Sequence, residues 1–316
     1  MKSLIHRTLM GMAAGASLAS FVVPASAAEP VTEDIYTEEL PAQVFFDEGE
    51  NAKFTERFGK LVDEGKAFTT TALLKDVGKA GSEKVPASQL AQVDADSKDL
   101  ALPDLYDQSV DSVLMIASLY NCGRCDNWHV GAIATAWAAN EDGIVVTNYH
   151  VLEGKGEEHF LGVMTRSGKV YPVVEVLAGD KAADVAFIKV DTSGEKLQPL
   201  ALGASARVGE DVTVISNPQR RKWVMTHGIV SRYFLNKISP QAGFVTRMSI
   251  TAEYAVGSSG GPLLNNKGEV IGMVCSTQPV FARNDNQPKD TPGTVQMVYK
   301  DSVPVVAIRA LVDETK

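Results

Sequence analysis

Residues 256–274 read VGSSGGPLLNNKGEVIGMV, a glycine, two serines, two more glycines and a proline directly in front of an apolar strand pattern. Gly and Ser clusters usually mark loops. Two adjacent serines between residues that let the backbone turn sharply also fit a turn that presents a nucleophile. A serine hydroxyl attacks only when a hydrogen-bonded imidazole takes its proton, a contribution of roughly 10²- to 10⁴-fold. Reading the stretch as chemistry therefore requires a histidine and a carboxylate elsewhere in the chain.

Two other stretches supply them: VVTNYHVLEG around His150 and DKAADVAFIKV around Asp184. The chain order is His, then Asp, then Ser, which is the chymotrypsin-type order; α/β-hydrolases and subtilisins use others. In this reading His150 is the general base and Asp184 holds its imidazole in the productive tautomer. The oxyanion of a tetrahedral intermediate needs two inward backbone N–H groups, and the turn offers those of Gly257 and Ser259. Taken singly, each residue has a plainer account as a structural His, a turn Asp and a loop serine. Together they point to acyl transfer, for which no metal or cofactor is needed.

Outward from these stretches, the region after Ser112 consists of short apolar runs separated by turn signals, among them SVLMIASLY, GAIATAWAA, VAFIKV, DVTVISN and GEVIGMVCS. Ten or so strands at this spacing predict an all-β fold of paired sheets or barrels. Helix is expected only near the end, where Val305, Ile308 and Val312 in VPVVAIRALVDETK share a face. Before Ser112 the texture differs. Phe54, Phe58 and Leu61 fall at i, i+4 and i+7, the pattern of a one-faced helix, whereas residues 75–99 are polar, small and charged, as in a linker or a loosely packed arm. Residues 28–110 are thus expected to form a partly helical N-terminal arm ahead of a domain at 111–316.

The first 27 residues place Lys2 and Arg7 before an apolar stretch that ends in Ala25-Ser26-Ala27, the pattern of a cleaved secretory signal peptide. An exported protein, periplasmic or secreted, is expected, with no membrane span after cleavage. The whole chain carries a formal charge of −9, and loss of the leader makes it more acidic, which disfavours nucleic acid as a partner.

The stretches TNYHV, DVA and GSSGG, with VGEDVTVISNP and THGIVSRY between them, resemble the trypsin-like serine peptidases, and within them the HtrA/DegP-like branch. The resemblance covers residues 112–312 and implies an all-β double barrel with the active site in the cleft between the barrels and polypeptides as substrates. It implies that Ser259, which precedes Gly-Gly, is the nucleophile and that Ser258 is a turn residue. It places Glu253, six residues earlier, at the base of the primary specificity pocket, with Ser276 also a candidate lining residue. An acidic base would favour Lys or Arg substrates. A Glu253 that faces solvent or pairs with a neighbour such as Arg247 would not, and relatives usually prefer small apolar side chains. Cys275 falls where the resemblance has a serine close to the catalytic Asp, so a buried, unpaired thiol is expected there. The PDZ domains common in this branch are not expected, because the sequence stops just after the closing helix.

Cys122 and Cys125 in NCGRC leave three readings open: a local disulfide, a redox pair, or two zinc ligands with His129. Export favours the disulfide, a fourth zinc ligand is not evident, and no role is assigned to His159 or His227. The rival to an endopeptidase is a catalytically latent or inactive trypsin-fold binding module, and an arm that must be cut before activity is a third reading. Oligomeric state is left open.

Overall fold

In a computed structural model, described for residues 43–75, 77, 84–153, 159–239, 243–282 and 293–314, the elements run in chain order as follows. Helices α1 (Asp47–Asp63) and α2 (Thr70–Leu74), a short β1 (Val85–Pro86) and α3 (Leu102–Ser109) precede β2 (Val113–Asn121), β3 (Trp128–Ala138) and β4 (Ile144–Thr147). A single helical turn, α4 (Tyr149–Leu152), is followed by β5 (Phe160–Met164), β6 (Val170–Asp180), β7 (Val185–Val190), β8 (Asp211–Ser216), β9 (Val224–Ser239) and β10 (Gly243–Ile250). Then come β11 (Pro262–Leu264), β12 (Val270–Phe281), β13 (Val295–Pro304), α5 (Val305–Arg309) and β14 (Val312–Asp313). The leader at 1–27 lies outside the described residues, and everything below concerns the unit spanning residues 45–316.

The strands close into two antiparallel barrels, β2-β3-β4-β7-β6-β5 and β10-β13-β12-β11-β8-β9. This is the chymotrypsin-like double barrel, and closure removes the unpaired strand edges that an open sheet would leave. Strand β2 shows why its sequence is apolar throughout instead of alternating. Leu114 and Ile116 face the interior of the first barrel with Val145, Val163 and Ile188. Val113, Met115 and Ala117 face the opposite way, into a cluster with Trp137, Ile215, Leu264 and Met273 that seams the barrels together. A strand covered on both faces has no polar side to display. Val212, Val214, Met248, Leu263 and Ile271 fill the second barrel.

Helix α1 is part of this core. Phe54 and Phe58 are fully buried in the seam cluster, and Trp128 Nε1 donates to Asp63 at 3.0 Å. At the helix start Asp47 accepts from the Lys222 amide at 2.9 Å and Asn51 from Lys222 Nζ at 2.8 Å. Burial lowers the Lys222 ammonium to a pKa of about 8.

Two elements differ from the sequence-based expectation. The described part of the linker-like segment is docked, with Val85 buried and paired to Val312 in a small parallel sheet and the Ala91 amide bound to Ala139 O at 2.8 Å. The closing helix is shorter than its apolar periodicity suggests: Val305 and Ile308 lie on α5, but Val312 belongs to β14, because pairing with Val85 takes its backbone out of the helix.

Candidate active site

The turn at residues 256–261 is shaped by backbone contacts that exclude side chains. Gly257 has φ +100 and a Cβ there would lie 2.4 Å from Asn217 O; Gly260 has φ +84 and a Cβ would lie 2.1 Å from Thr135 O. Both positions require glycine. Ser258 is fully buried and accepts a hydrogen bond from Ser216 Oγ at 2.9 Å, while Ser259 is half-buried. Val256 O is occupied by the Gln219 amide at 2.6 Å, and the amides of Ser258, Gly260 and Gly261 donate to carbonyls. Among the described residues, the Gly257 and Ser259 amides have no protein acceptor. The exposed Val256 amide also has no protein acceptor among the described residues, and the free Gly257 and Ser259 donors offer a place for an anion.

A buried polar cluster fixes this turn from the first barrel. Thr135 on β3 donates from Oγ1 to Gly257 O at 2.8 Å and accepts from the Asn217 amide at 3.0 Å. Its own amide donates to Ser259 O at 2.9 Å. Asn217 bonds Leu114 O and Thr135 Oγ1 through Nδ2 and accepts from the Trp223 amide through Oδ1 at 3.1 Å. Both side chains are fully buried. The sequence carried Asn217 within the SNP motif, but no local signal marked Thr135, whose role depends on strand pairing.

His150 sits on the one-turn α4, next to Asn148. Its Nδ1 lies 2.8 Å from Asp184 Oδ2 and 3.0 Å from Oδ1, and its backbone N–H donates to Oδ1 at 3.0 Å. This geometry assigns the Nδ1 proton toward the carboxylate and leaves Nε2 free to act as a base. Asp184 adopts φ +63, a left-handed conformation that costs a non-glycine residue about 1 kcal/mol or more. The tight turn that imposes it is held on three sides. Asp180 Oδ1 accepts from the Ala182 and Ala183 amides at 2.8 and 2.9 Å, Arg247 Nη1 donates to Ala183 O at 3.0 Å, and Asn148 Nδ2 donates to Asp184 O at 2.9 Å.

Cys275 Sγ donates to Asp184 Oδ2 at 3.3 Å. The residue is part-buried, and burial together with the Asp184 charge pushes its thiol up to about 12, so it stays protonated. The Ser259 hydroxyl points to Cys275 O at 3.5 Å and makes no hydrogen bond to His150. His150, Gly257 and Ser259 nevertheless wall one cavity of about 360 Å³, whose other side is apolar and includes Ile116, Ala132, Ile133 and Leu161.

The remaining candidates fall outside this constellation. The Glu253 carboxylate is 76% exposed and lies 2.6 Å from Nζ of the buried Lys300, while the Arg247 guanidinium is bound to the carbonyls of Ala182 and Ala183. Lys300 also donates to Tyr254 O at 2.9 Å. Ser276 is exposed and receives, at its carbonyl, a hydrogen bond from the buried Tyr254 hydroxyl at 3.1 Å. His227 pairs with Thr213, and His159 lies in tilted ring contact with Tyr120 and lines the cavity. Cys122 and Cys125 are free thiols, their sulfurs 3.3 Å apart.

The two closed barrels carry a His–Asp pair and a glycine-bounded serine turn, with His150 and Ser259 on one cavity, and residues 134–273 match the family described as the trypsin-like peptidase domain. Its similarity runs to the HtrA/DegP branch. The chain is 34% identical over 155 residues to a "Probable periplasmic serine endoprotease DegP-like" of Halomonas elongata, covering 48% of this chain and 30% of that protein. It is 28% identical over 217 residues to "Protease Do-like 1, chloroplastic" of Arabidopsis thaliana, covering 66% and 47%, and 36% identical over 146 residues to "Serine protease HTRA1B" of Danio rerio, covering 45% and 30%. The chain spans less than half the length of these relatives.

Proposed function

We propose that this chain is a serine endopeptidase that hydrolyses polypeptides through an acyl-enzyme. Ser259 Oγ attacks the scissile carbonyl as His150 Nε2 removes its proton, and Asp184 stabilises the imidazolium that forms. The amides of Gly257 and Ser259 receive the oxyanion. His150 then gives its proton to the leaving amine, and the same base activates the water that releases the acyl group. The observation that carries this reading is the His150–Asp184 hydrogen bond beside two unpartnered amides on the serine turn. For attack, the Ser259 hydroxyl must leave Cys275 O for His150 Nε2.

Pairing of Glu253 with Lys300 offsets its charge and argues against an acidic pocket base, which favours small apolar side chains over Lys or Arg at the cleaved bond. Export is supported by the leader pattern at residues 1–27 and by the word periplasmic in a relative's name. Among the described residues no helix is long and apolar enough to cross a membrane.

The test is cleavage of an unfolded protein such as reduced casein by the purified chain. Hydrolysis that disappears in Ser259→Ala is expected. Binding of casein without cleavage by the unmutated chain would instead favour a latent binding module, the reading to which the Ser259–Cys275 contact lends itself.

A further inference from the structure

The β2–β3 hairpin ends in a tip that the peptidase reading does not use. Its last paired residues are Asn121 with Trp128 and Tyr120 with His129, so Cys122 and Cys125 belong to the connecting loop while His129 is the second residue of β3. Gly123, with φ +68, reverses the chain, and its amide donates to Asn121 Oδ1 at 2.8 Å. The result brings Cys122 Sγ to 3.3 Å from Cys125 Sγ and Cys125 Sγ to 3.1 Å from His129 Nε2, with all three donor atoms within 4.8 Å of one another.

A disulfide would account for two of these atoms. It gives no reason for the third, because an imidazole contributes nothing to a sulfur–sulfur bond. His129 is held in place by its ring contact with Tyr120, at 5.6 Å between centroids, and its Nε2 has no partner other than Cys125 among the described residues. Two thiols and one imidazole are the donor set of zinc, with metal–sulfur bonds of about 2.3 Å and metal–nitrogen bonds of about 2.0 Å. Tetrahedral angles around such an ion place sulfurs roughly 3.8 Å apart and sulfur and nitrogen roughly 3.5 Å apart. The Cys122–Cys125 and Cys125–His129 spacings need to open by only about half an ångström, and Cys122 and His129 already lie within 4.8 Å of each other.

We propose that Cys122, Cys125 and His129 form a zinc site with three protein ligands and water in the fourth position. On binding, both thiols release their protons to solvent and ligate as thiolates, and His129 ligates as the neutral ring. The site clips the hairpin tip. The same hairpin supplies Ser118, Ala132 and Ile133 to the wall of the cavity beside Ser259. The Tyr120 ring makes tilted contacts with both His129 and His159, and His159 is itself a cavity residue. A loaded site therefore stiffens one wall of the cavity.

The proposal is independent of whether the chain cleaves peptides, and its test reads metal alone. The full chain, reduced and freed of metal, is titrated with Co²⁺ and then Zn²⁺. One equivalent of Co²⁺ with a sulfur-to-cobalt absorption band, displaced by one equivalent of Zn²⁺, is expected. Cys125→Ser should abolish the band, and His129→Ala should weaken binding by at least about 10-fold. His129→Ala is the decisive variant, since a disulfide is indifferent to it. Binding unchanged in His129→Ala, no band in the unmutated chain, or protein isolated without reductant that holds a Cys122–Cys125 disulfide and no zinc would each overturn the proposal.

Discussion

Replacing Thr135 with valine removes one buried hydroxyl and almost no volume. In the unmutated chain that hydroxyl donates to Gly257 O at 2.8 Å and accepts from the Asn217 amide at 3.0 Å, in a site closed to solvent. The substitution leaves the carbonyl and the amide without partners, and each orphaned buried group costs about 1–3 kcal/mol. Destabilisation of about 2–4 kcal/mol follows once partial relaxation is allowed for. At about 2–4 °C per kcal/mol for a domain of this size, the melting temperature should fall by roughly 5–15 °C. The catalytic consequence is separable. Thr135 holds the Gly257 carbonyl, in the peptide between the two amides proposed to receive the oxyanion, so without it the turn keeps the Gln219–Val256 anchor but loses one that fixes the relative placing of those amides. Full loss of one such donor costs about 10²- to 10³-fold in kcat, and a displaced donor should cost roughly 10- to 10²-fold, with KM little changed. The assay is steady-state hydrolysis of a peptide reporter well below the melting temperature, with Thr135→Ser beside it. The serine variant keeps the hydroxyl and should recover most of kcat. A Thr135→Val protein with unmutated kcat, whatever its stability, would show that the hydroxyl does not position the turn.

Three further outcomes follow. Asp184→Asn should lower kcat by about 10⁴-fold while leaving the far-ultraviolet circular dichroism unchanged, since the neutral side chain no longer fixes the Nδ1–H tautomer; turnover near that of the unmutated chain would remove Asp184 from the triad. Phe58→Ala should destabilise by about 3–5 kcal/mol in urea unfolding, because a ring buried between α1 and the barrels is lost; a loss under 1 kcal/mol would mean that α1 is not part of the core. Cys122, whose thiol the Arg124 amide, the neighbouring Cys125 and other donors lower to about 7, and Cys275, pushed up to about 12, should separate in iodoacetamide labelling of metal-free native protein at neutral pH. The thiolate fractions differ by about 10⁴- to 10⁵-fold, so Cys122 should be modified within minutes while Cys275 survives, and comparable rates would contradict the Asp184–Cys275 contact.

Much of this architecture is local in origin and therefore legible. The short apolar runs become strands, and the residues around His150, Asp184 and Ser259 carry their own turn chemistry within a few positions. What escapes a linear reading depends on partners far along the chain. Strand β11 spans three residues immediately behind the serine turn and exists because β8 and β12 pair with it on either side. The segment with linker composition is docked because Val85 finds Val312. Thr135 looks like any strand threonine until folding places it against Asn217 and Gly257, and the charge on Glu253 changes meaning once Lys300 is seen beside it. Helix α1 belongs with these. Its Asp47 and Asn51 hold Lys222, one residue from the Trp223 amide that binds Asn217, so hydrogen bonds link α1 to the residues that pack against the serine turn.

The central claim is that Ser259 is an activated nucleophile. The most direct measurement is reaction of the full folded chain with a fluorophosphonate, followed by peptide mass spectrometry, with Ser259→Ala and Ser258→Ala alongside. One label per chain on the peptide containing Ser259, lost in Ser259→Ala and kept in Ser258→Ala, is the result predicted. A folded chain that takes up no label, or one that is labelled equally in Ser259→Ala, would contradict it.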